Sequence, residues 1–338
     1  MIRLSIILPT YNVENYIERC LRSIENQDLR YSEYEIIVIN DGSTDNSRNV
    51  VKNLQQSYCN IILKDKVNGG VSSARNYGII YARGEYIMFC DPDDYIEKNV
   101  LGKMLNLVEK DNLDGCCFNI KRINSWGTEI IDKFRFAETE IMDGIAFFRK
   151  GYLNGYTHAW LLKKNIVINN NLTFVEGISL AEDQEFLIKF VTLAQKVKYY
   201  NLAFYNNVTR KGSLSSSSRK KENIFYVFPL IESLEMFKEE ILNNELSKNF
   251  IEERIACYYQ DAIHFVTYPG FIKYFPLVRD KIKKKRKTRF DIKNFNSKRK
   301  KEIALINLSI SIYFIYAIFR TNFFLVMAKM KTILKSKK

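Results

Sequence analysis

The chain has 338 residues, 46% of them hydrophobic and 14% aromatic; that is enough apolar material for one large domain or two smaller ones, and it excludes a disordered protein. The net charge of +14 is lopsided, with 18 Lys+Arg against 3 Asp+Glu from Asp280 onward and 34 against 35 before it, so the basicity belongs to a tail and not to the fold. Six cysteines (20, 59, 90, 116, 117, 257) contain no CxxC pair and are accompanied by two histidines, His158 and His264, which argues against a zinc cluster or a disulfide framework and for reduced thiols in a cytosolic setting.

The opening run is broken by Arg3, Ser5 and Pro9 and reads as a first strand, Leu4 to Leu8, rather than a secretory signal. Ile17, Cys20, Leu21 and Ile24 recur at helical spacing and predict a helix from about Glu14 to Asn26. Ile36 to Ile39 is the second strand, followed by Asp41-Gly42-Ser43-Thr44-Asp45, whose Ser and Thr are expected to cap a helix carrying Val50, Val51 and Leu54. Ile61 to Leu63 is the third strand, followed by Asn68-Gly69-Gly70 and a helix with Ala74, Tyr77 and Tyr81; Tyr86 to Phe89 is the fourth. Repeated β-α units of this kind predict a doubly wound α/β fold whose ligands lie at the carboxyl ends of the strands.

Each unusual polar cluster follows one of those strands: Pro9-Thr10-Tyr11, Asp41-Gly42, Asn68-Gly69-Gly70 and Asp91-Pro92-Asp93-Asp94. Three carboxylates at the end of a buried strand are tolerable only beside a divalent cation or cationic groups. The expected site is therefore a metal-assisted nucleotide site.

The segments Ser5 to Asn12, Ile37 to Asp45, Gly70 to Asn76 and Asp91 to Asp94 strongly resemble the glycosyltransferase family 2 enzymes in order and spacing. Trp160 with Lys163 and Lys164, Phe174, Glu182 to Phe186, and Arg210 with Gly212-Ser213 resemble the acceptor half of the members that build bacterial capsule, exopolysaccharide or O-antigen. The resemblance covers roughly residues 3 to 218. It implies a GT-A fold: a Rossmann-like, mostly parallel sheet over residues 1–218, with a nucleotide-sugar half (1–114) and an acceptor half (115–218), then a helical C-terminal region (219–338).

By the same resemblance Pro9, Thr10, Tyr11 and Glu14 form the lip that holds the base, and Asp41 is the carboxylate that accepts a hydrogen bond from uracil. Arg75 lies near the base and diphosphate, Asp91 is the ribose-side carboxylate, and Asp93 is the ligand of Mg²⁺ or Mn²⁺. Asp183 is the general base for the acceptor hydroxyl, Trp160 and Glu182 face the acceptor, and Arg210 folds over the diphosphate. Inversion at the anomeric centre is part of what the family implies.

Plainer readings stand beside these. Ser43, Thr44 and Asp45 read as caps; Asn68 to Gly70 reads as a turn, since no GxGxxG is present. Glu182-Asp183 also suits a helix N-terminus, Trp160 suits a core, and His158 could touch the acceptor sugar.

Beyond about residue 219 the pattern turns helical, with Ile224, Val227, Phe228 and Ile231 on one face and a second helix over Phe250 to Val266. Lys281 to Arg289 holds seven basic residues of nine, and Lys298 to Lys301 is wholly basic. Ile303 to Phe319 is uncharged for 17 residues, about 26 Å if helical against roughly 30 Å of bilayer hydrocarbon. With basic flanks it is expected to lie on an anionic membrane surface rather than span it.

The function expected from all of this is an inverting, metal-dependent transfer from a nucleotide-sugar donor, most simply a UDP-sugar, to a glycan or lipid-linked glycan, at the cytoplasmic face of a bacterial membrane. The alternative is a non-catalytic scaffold whose basic tail binds membrane or nucleic acid. No RNA-binding aromatic motif accompanies the tail, which speaks against nucleic acid. A nucleotidyltransferase would be expected to open on a Gly-rich loop, and none is present.

Overall fold

The computed structural model describes residues 1–123, 129–131, 137–153, 155–178, 180–209, 221–241, 244–268, 270–286, 289–291, 293, 295 and 297–321. The chain divides into two units, Met1–Ser216 and Ser217–Lys338.

The first unit opens with three β-α repeats and a fourth strand: β1 (Leu4–Thr10), α1 (Ile17–Glu25), β2 (Tyr34–Asp41), α2 (Ser47–Gln55), β3 (Ile61–Lys66), α3 (Val71–Tyr81) and β4 (Tyr86–Phe89). There follow β5 (Tyr95–Ile96), α4 (Leu101–Lys110), β6 (Gly115–Ile123), β7 (Glu129–Ile131), α5 (Gly144–Arg149), β8 (Trp160–Lys163), α6 (Lys164–Asn169), α7 (Glu182–Leu193) and β9 (Val197–Val208). The strands lie side by side in the order β3-β2-β1-β4-β8-β6-β9-β5, with β7 paired to β6. The first four are mutually parallel, and β8 runs antiparallel between β4 and β6.

Every residue of β1 and β2 is buried, as expected of central parallel strands covered on both faces. The parallel register carries β1 and β2 past the end of β4, whose last partner is Phe89 against Ile7. Pro9 shares the parity of Ile7, so its backbone faces the side where β4 has already ended. A residue without an N–H therefore removes no ladder bond there.

At the opposite edge of the sheet, Glu35 is buried but satisfied: Ser5 Oγ donates to it at 2.6 Å, and the Arg83 backbone and guanidinium donate at 2.7 Å each. There Glu35 is fully engaged in holding the chain, which is a structural role.

Two helix starts are fixed by side chains. Asp143 caps α5 through the Ala146 N–H at 2.9 Å, and α5 packs on α7 so closely that a Cβ on Gly144 would fall 2.1 Å from the Val191 carbonyl oxygen. The α2 helix is held by Asp45, which accepts from Ser47 N at 3.0 Å. Ser43 and Thr44, expected as its caps, instead bond across to the β1–α1 loop at Asn12.

The second unit contains α8 (Val227–Glu240), α9 (Glu245–Phe265), α10 (Phe275–Lys285), α11 (Ser297–Leu308) and a further helical run over residues 310–321. Asn244 caps α9 through Ser247 N at 3.0 Å. The uncharged stretch expected as one helix is interrupted at Ser309. Ile303, Ile306, Ile310, Tyr313, Phe314 and Ala317 are buried, whereas Leu308, Ile312, Ile315, Tyr316 and Phe319 form an exposed row at helical spacing. Its inner face thus belongs to the core of its own unit. No helix among the described residues is long and apolar enough to cross a membrane.

Candidate active site

The carboxyl ends of β1 and β2 are joined by a stitch of polar contacts. Asn12, at φ +50°, accepts from Thr44 N at 2.8 Å and donates its own N–H to Ser43 Oγ at 3.2 Å. Val13 N donates to Ser47 Oγ at 2.8 Å, Glu14 N to Asp45 at 3.0 Å, and Glu14 Oε2 accepts from Asn46 N at 2.8 Å. Of the residues expected in a base-binding lip, Tyr11 is exposed, Thr10 is buried with its hydroxyl on Leu8 O, and Glu14 gives one oxygen to the start of α2.

Asp41 closes the neighbouring loop. Its Oδ1 accepts from Lys66 Nζ at 2.6 Å and Gly69 N at 2.9 Å, and its Oδ2 from Gly70 N at 2.8 Å. This explains Asn68 to Gly70 as a turn, with Gly70 at φ +86°. Lys66, which the sequence did not mark, is the neutralising charge. A carboxylate has about four lone-pair sites, so Asp41 retains capacity to accept from a base.

The acidic tetrapeptide divides into unlike roles. Asp94 is buried, with Oδ1 accepting from Val208 N at 2.7 Å and Oδ2 from Asn207 Nδ2 at 3.0 Å. It ties the tetrapeptide to β9, and its carboxyl is pushed up to about 8, by burial first and then by Asp91 and Asp93. Asp91 N donates to Tyr205 Oη at 2.9 Å, and the Asp93 carbonyl accepts from Arg19 at 2.6 Å.

Arg75, on α3, is the hub. Its guanidinium reaches Asp91 at 3.2 Å, Asp183 at 2.5 Å and Glu182 at 3.6 Å, and lies 5.2 Å from the Phe174 ring centroid. Burial works against its charge, but Asp183, Asp91 and Glu182 together hold the guanidinium above its ordinary value. Carboxylates expected on the donor and acceptor sides, 92 residues apart between Asp91 and Asp183, thus meet on one cation. Glu182 and Asp183 open α7, where the helix dipole favours anions, and the preceding Ala181 is left-handed at φ +61°.

The Glu182 carboxyl is pushed up to about 7, by burial first and by Asp183 second, against Arg75. A folded value above the ordinary carboxylate range means that folding takes up a proton. The stability so gained is complete below about pH 4 and is lost as pH rises through about 7. Glu182→Gln is therefore expected to raise the thermal midpoint at pH 8 by about 5 °C and to leave it unchanged near pH 4; equal midpoints at both pH values would count against this.

The turn Thr157–Ala159 lies against both halves of this cluster. Thr157 N donates to Asp183 Oδ2 at 3.3 Å, and His158 Nδ1 is 3.7 Å from Asp91 Oδ2. The His158 ring stacks on both Tyr156 and Tyr205, at 5.4 and 4.5 Å between centroids. Both ring nitrogens are buried without a hydrogen-bond partner, a state that costs roughly 1–3 kcal/mol per orphaned group. Burial lowers the imidazole's affinity for a proton, and Asp91 opposes that.

Trp160, expected on the acceptor side, is instead fully buried in the core, edge-on to Phe147 and Phe190. Its place on β8 between β4 and β6 turns it into packing. Arg210 and the loop 211–218 lie outside the described residues.

Asp91 and Asp93 offer hard oxygen donors, the chemistry that suits Mg²⁺ or Mn²⁺, whereas both oxygens of Asp94 are engaged by the protein. No group of three or more His, Cys, Asp or Glu side chains among the described residues could hold an ion. These residues fit a cation whose shell is completed by substrate phosphates, as is usual for Mg²⁺.

The profile described as Glycosyl transferase family 2 matches residues 5–168, the stretch that contains β1 to β4 and the tetrapeptide. That stretch belongs to glycosyl transferase family 2. A family relative, the poly(ribitol-phosphate) beta-glucosyltransferase of Bacillus spizizenii, is 32% identical over 231 residues, 66% of this chain and 35% of that protein. The chain spans between 27% and 46% of the length of three such curated relatives. The crystal structure of S. aureus TarS 1–349 in complex with UDP-GlcNAc is 23% identical, with a TM-score of 0.64 over 94% of this chain and 82% of that one. The mannosyltransferase PcManGT of Pyrobaculum calidifontis, solved in complex with GDP-Man and Mn²⁺, gives a TM-score of 0.53 at 13% identity over 93% of this chain and 85% of that one. The first unit has the GT-A glycosyltransferase fold, and it is followed by a helical C-terminal region.

Proposed function

We propose that this chain is an inverting, metal-dependent glycosyltransferase that moves a sugar from a UDP-sugar to a hydroxyl group of a polymer or lipid-linked glycan. The observation that carries the reading is the meeting of Asp91, Glu182 and Asp183 on Arg75, which unites a donor-side and an acceptor-side motif in one cleft. The relatives named for poly(ribitol-phosphate) transfer favour a polyol-phosphate polymer as acceptor.

In this reading Asp91 accepts a hydrogen bond from the ribose, and the Tyr11–Glu14 lip with Asp41 receives the base. Asp183 takes the proton of the attacking hydroxyl, oriented by Thr157 N and Arg75. Attack from the face opposite the diphosphate inverts the anomeric centre. Asp93 would hold a Mg²⁺ or Mn²⁺ ion, which would supply Lewis-acid neutralisation of the departing diphosphate. Glu182 stands beside the base on the acceptor side, and Arg210 is placed on the diphosphate by family resemblance.

The exposed row Leu308, Ile312, Ile315, Tyr316 and Phe319, with Lys298 to Lys301 preceding it, supports peripheral contact with an anionic membrane surface. The location proposed with this reading is the cytoplasmic face of a bacterial membrane.

Titration of UDP into the protein tests the donor site. Binding is expected with Mn²⁺, and is expected to fall at least about ten-fold with EDTA or in Asp93→Ala. Absence of UDP binding in every condition would return the chain to the class of non-catalytic scaffolds.

A further inference from the structure

The donor-site reading above leaves one buried group unused. His158 is 5% exposed, and both its ring nitrogens lack a partner. Tyr156 and Tyr205 both stack on it, which restricts motion of the ring out of its own plane. Its Nδ1 edge is directed at Asp91 Oδ2, 3.7 Å away, beyond hydrogen-bond distance by less than 1 Å. The same Tyr205 that stacks on the ring accepts the Asp91 backbone N–H at 2.9 Å. Side chain and backbone of Asp91 are therefore both approached from one aromatic stack, while Arg75 holds the other carboxylate oxygen, Oδ1, at 3.2 Å.

We infer that His158 is a positioning residue for the donor: its Nδ1–H closes onto Asp91 Oδ2 when a nucleoside diphosphate sugar binds, and fixes the carboxylate toward the ribose. The inference rests on the donor-site assignment of Asp91. The movement this requires is a small rotation of the Asp91 carboxyl group, whose backbone N–H is held by Tyr205. The contact satisfies an orphaned nitrogen only in the liganded state, so its free energy appears as donor affinity. Because the turn that carries His158 also donates from Thr157 N to Asp183, closure on the donor side bears on the base through a single short turn of three residues.

Three substitutions separate hydrogen bonding from packing. Asn places an amide near the Nδ1 position, Gln places one near Nε2, and Phe keeps the stacked ring without nitrogens. Measured by UDP titration in Mn²⁺, His158→Gln and His158→Phe are expected to weaken binding about ten-fold or more, and His158→Asn to stay within about three-fold of wild type. In turnover the loss is expected in the donor KM, with kcat within about two-fold. Equal affinities for all three and wild type would overturn the inference, and equal weakening in all three would assign the effect to packing and overturn it as well. Should the Phe variant fail to fold, the Asn and Gln pair decides the matter alone. Wild type that binds no UDP defeats the donor-site reading and this inference with it, whereas wild type that binds beside unaffected variants defeats the inference alone.

Discussion

Asp183→Asn is expected to reduce sugar transfer by about 10³-fold or more while leaving UDP affinity within about two-fold of wild type. The side chain opens α7, and its two oxygens accept from Arg75 at 2.5 Å and Thr157 N at 3.3 Å. Asparagine preserves the volume, and its amide oxygen can still accept from one of those donors, so the local structure survives. It cannot take a proton. A general base contributes typically 10²–10⁴-fold, which sets the size of the loss. The measurement is single-turnover transfer from UDP-sugars to a polyol-phosphate or lipid-linked acceptor, beside UDP titration of the same variant. Transfer at the wild-type rate would remove Asp183 as base and direct attention to Glu182, its neighbour on the same helix turn.

The second large effect is expected at Arg75. Arg75→Ala leaves Asp91, Glu182 and Asp183 facing one another without their shared cation, and removal of one partner from a buried ion cluster costs about 3–5 kcal/mol. The thermal midpoint is expected to drop by roughly 10 °C, and donor binding to be lost. Arg75→Lys keeps the charge but offers a point ammonium in place of a planar fork, so it is expected to fold while losing at least about ten-fold in transfer. A lysine variant with full activity would mean that Arg75 supplies charge alone. An alanine variant with an unaltered midpoint would mean that the three carboxylates are protonated or separated in solution.

Much of this was legible in the sequence because strands and polar loops alternate with little ambiguity. The runs at Ile6, Val38 and Met88 fall on β1, β2 and β4, and the clusters after them share one sheet edge because parallel strands all end there. Partnerships between distant residues were the illegible part. Nothing in the spacing connects Arg75 to Asp183, or Asp41 to Lys66, because those pairs are set by the register of strands and by the approach of α7 to α3. The tetrapeptide shows the same limit: Asp94 resembles its neighbours in sequence, yet only its place opposite β9 turns it into an anchor. Trp160 was misplaced for a related reason, since a strand that inserts antiparallel between two others buries an aromatic that a surface strand would expose. The setting of His158 depends on stacking with Tyr156 and Tyr205, residues that carry no motif of their own.

The stitch at Asn12 has a bearing on how such an enzyme could change its donor. Because Asn12, Val13 and Glu14 are bonded to Ser43, Thr44, Asp45, Asn46 and Ser47, the loops after β1 and β2 form one body, and a base that docks there meets a surface already ordered. Little conformational freedom is left to lose on that side. If the base docks there as proposed, exchange of one loop alone would sever the stitch and forfeit that preorganisation, so the two loops would have to be exchanged together.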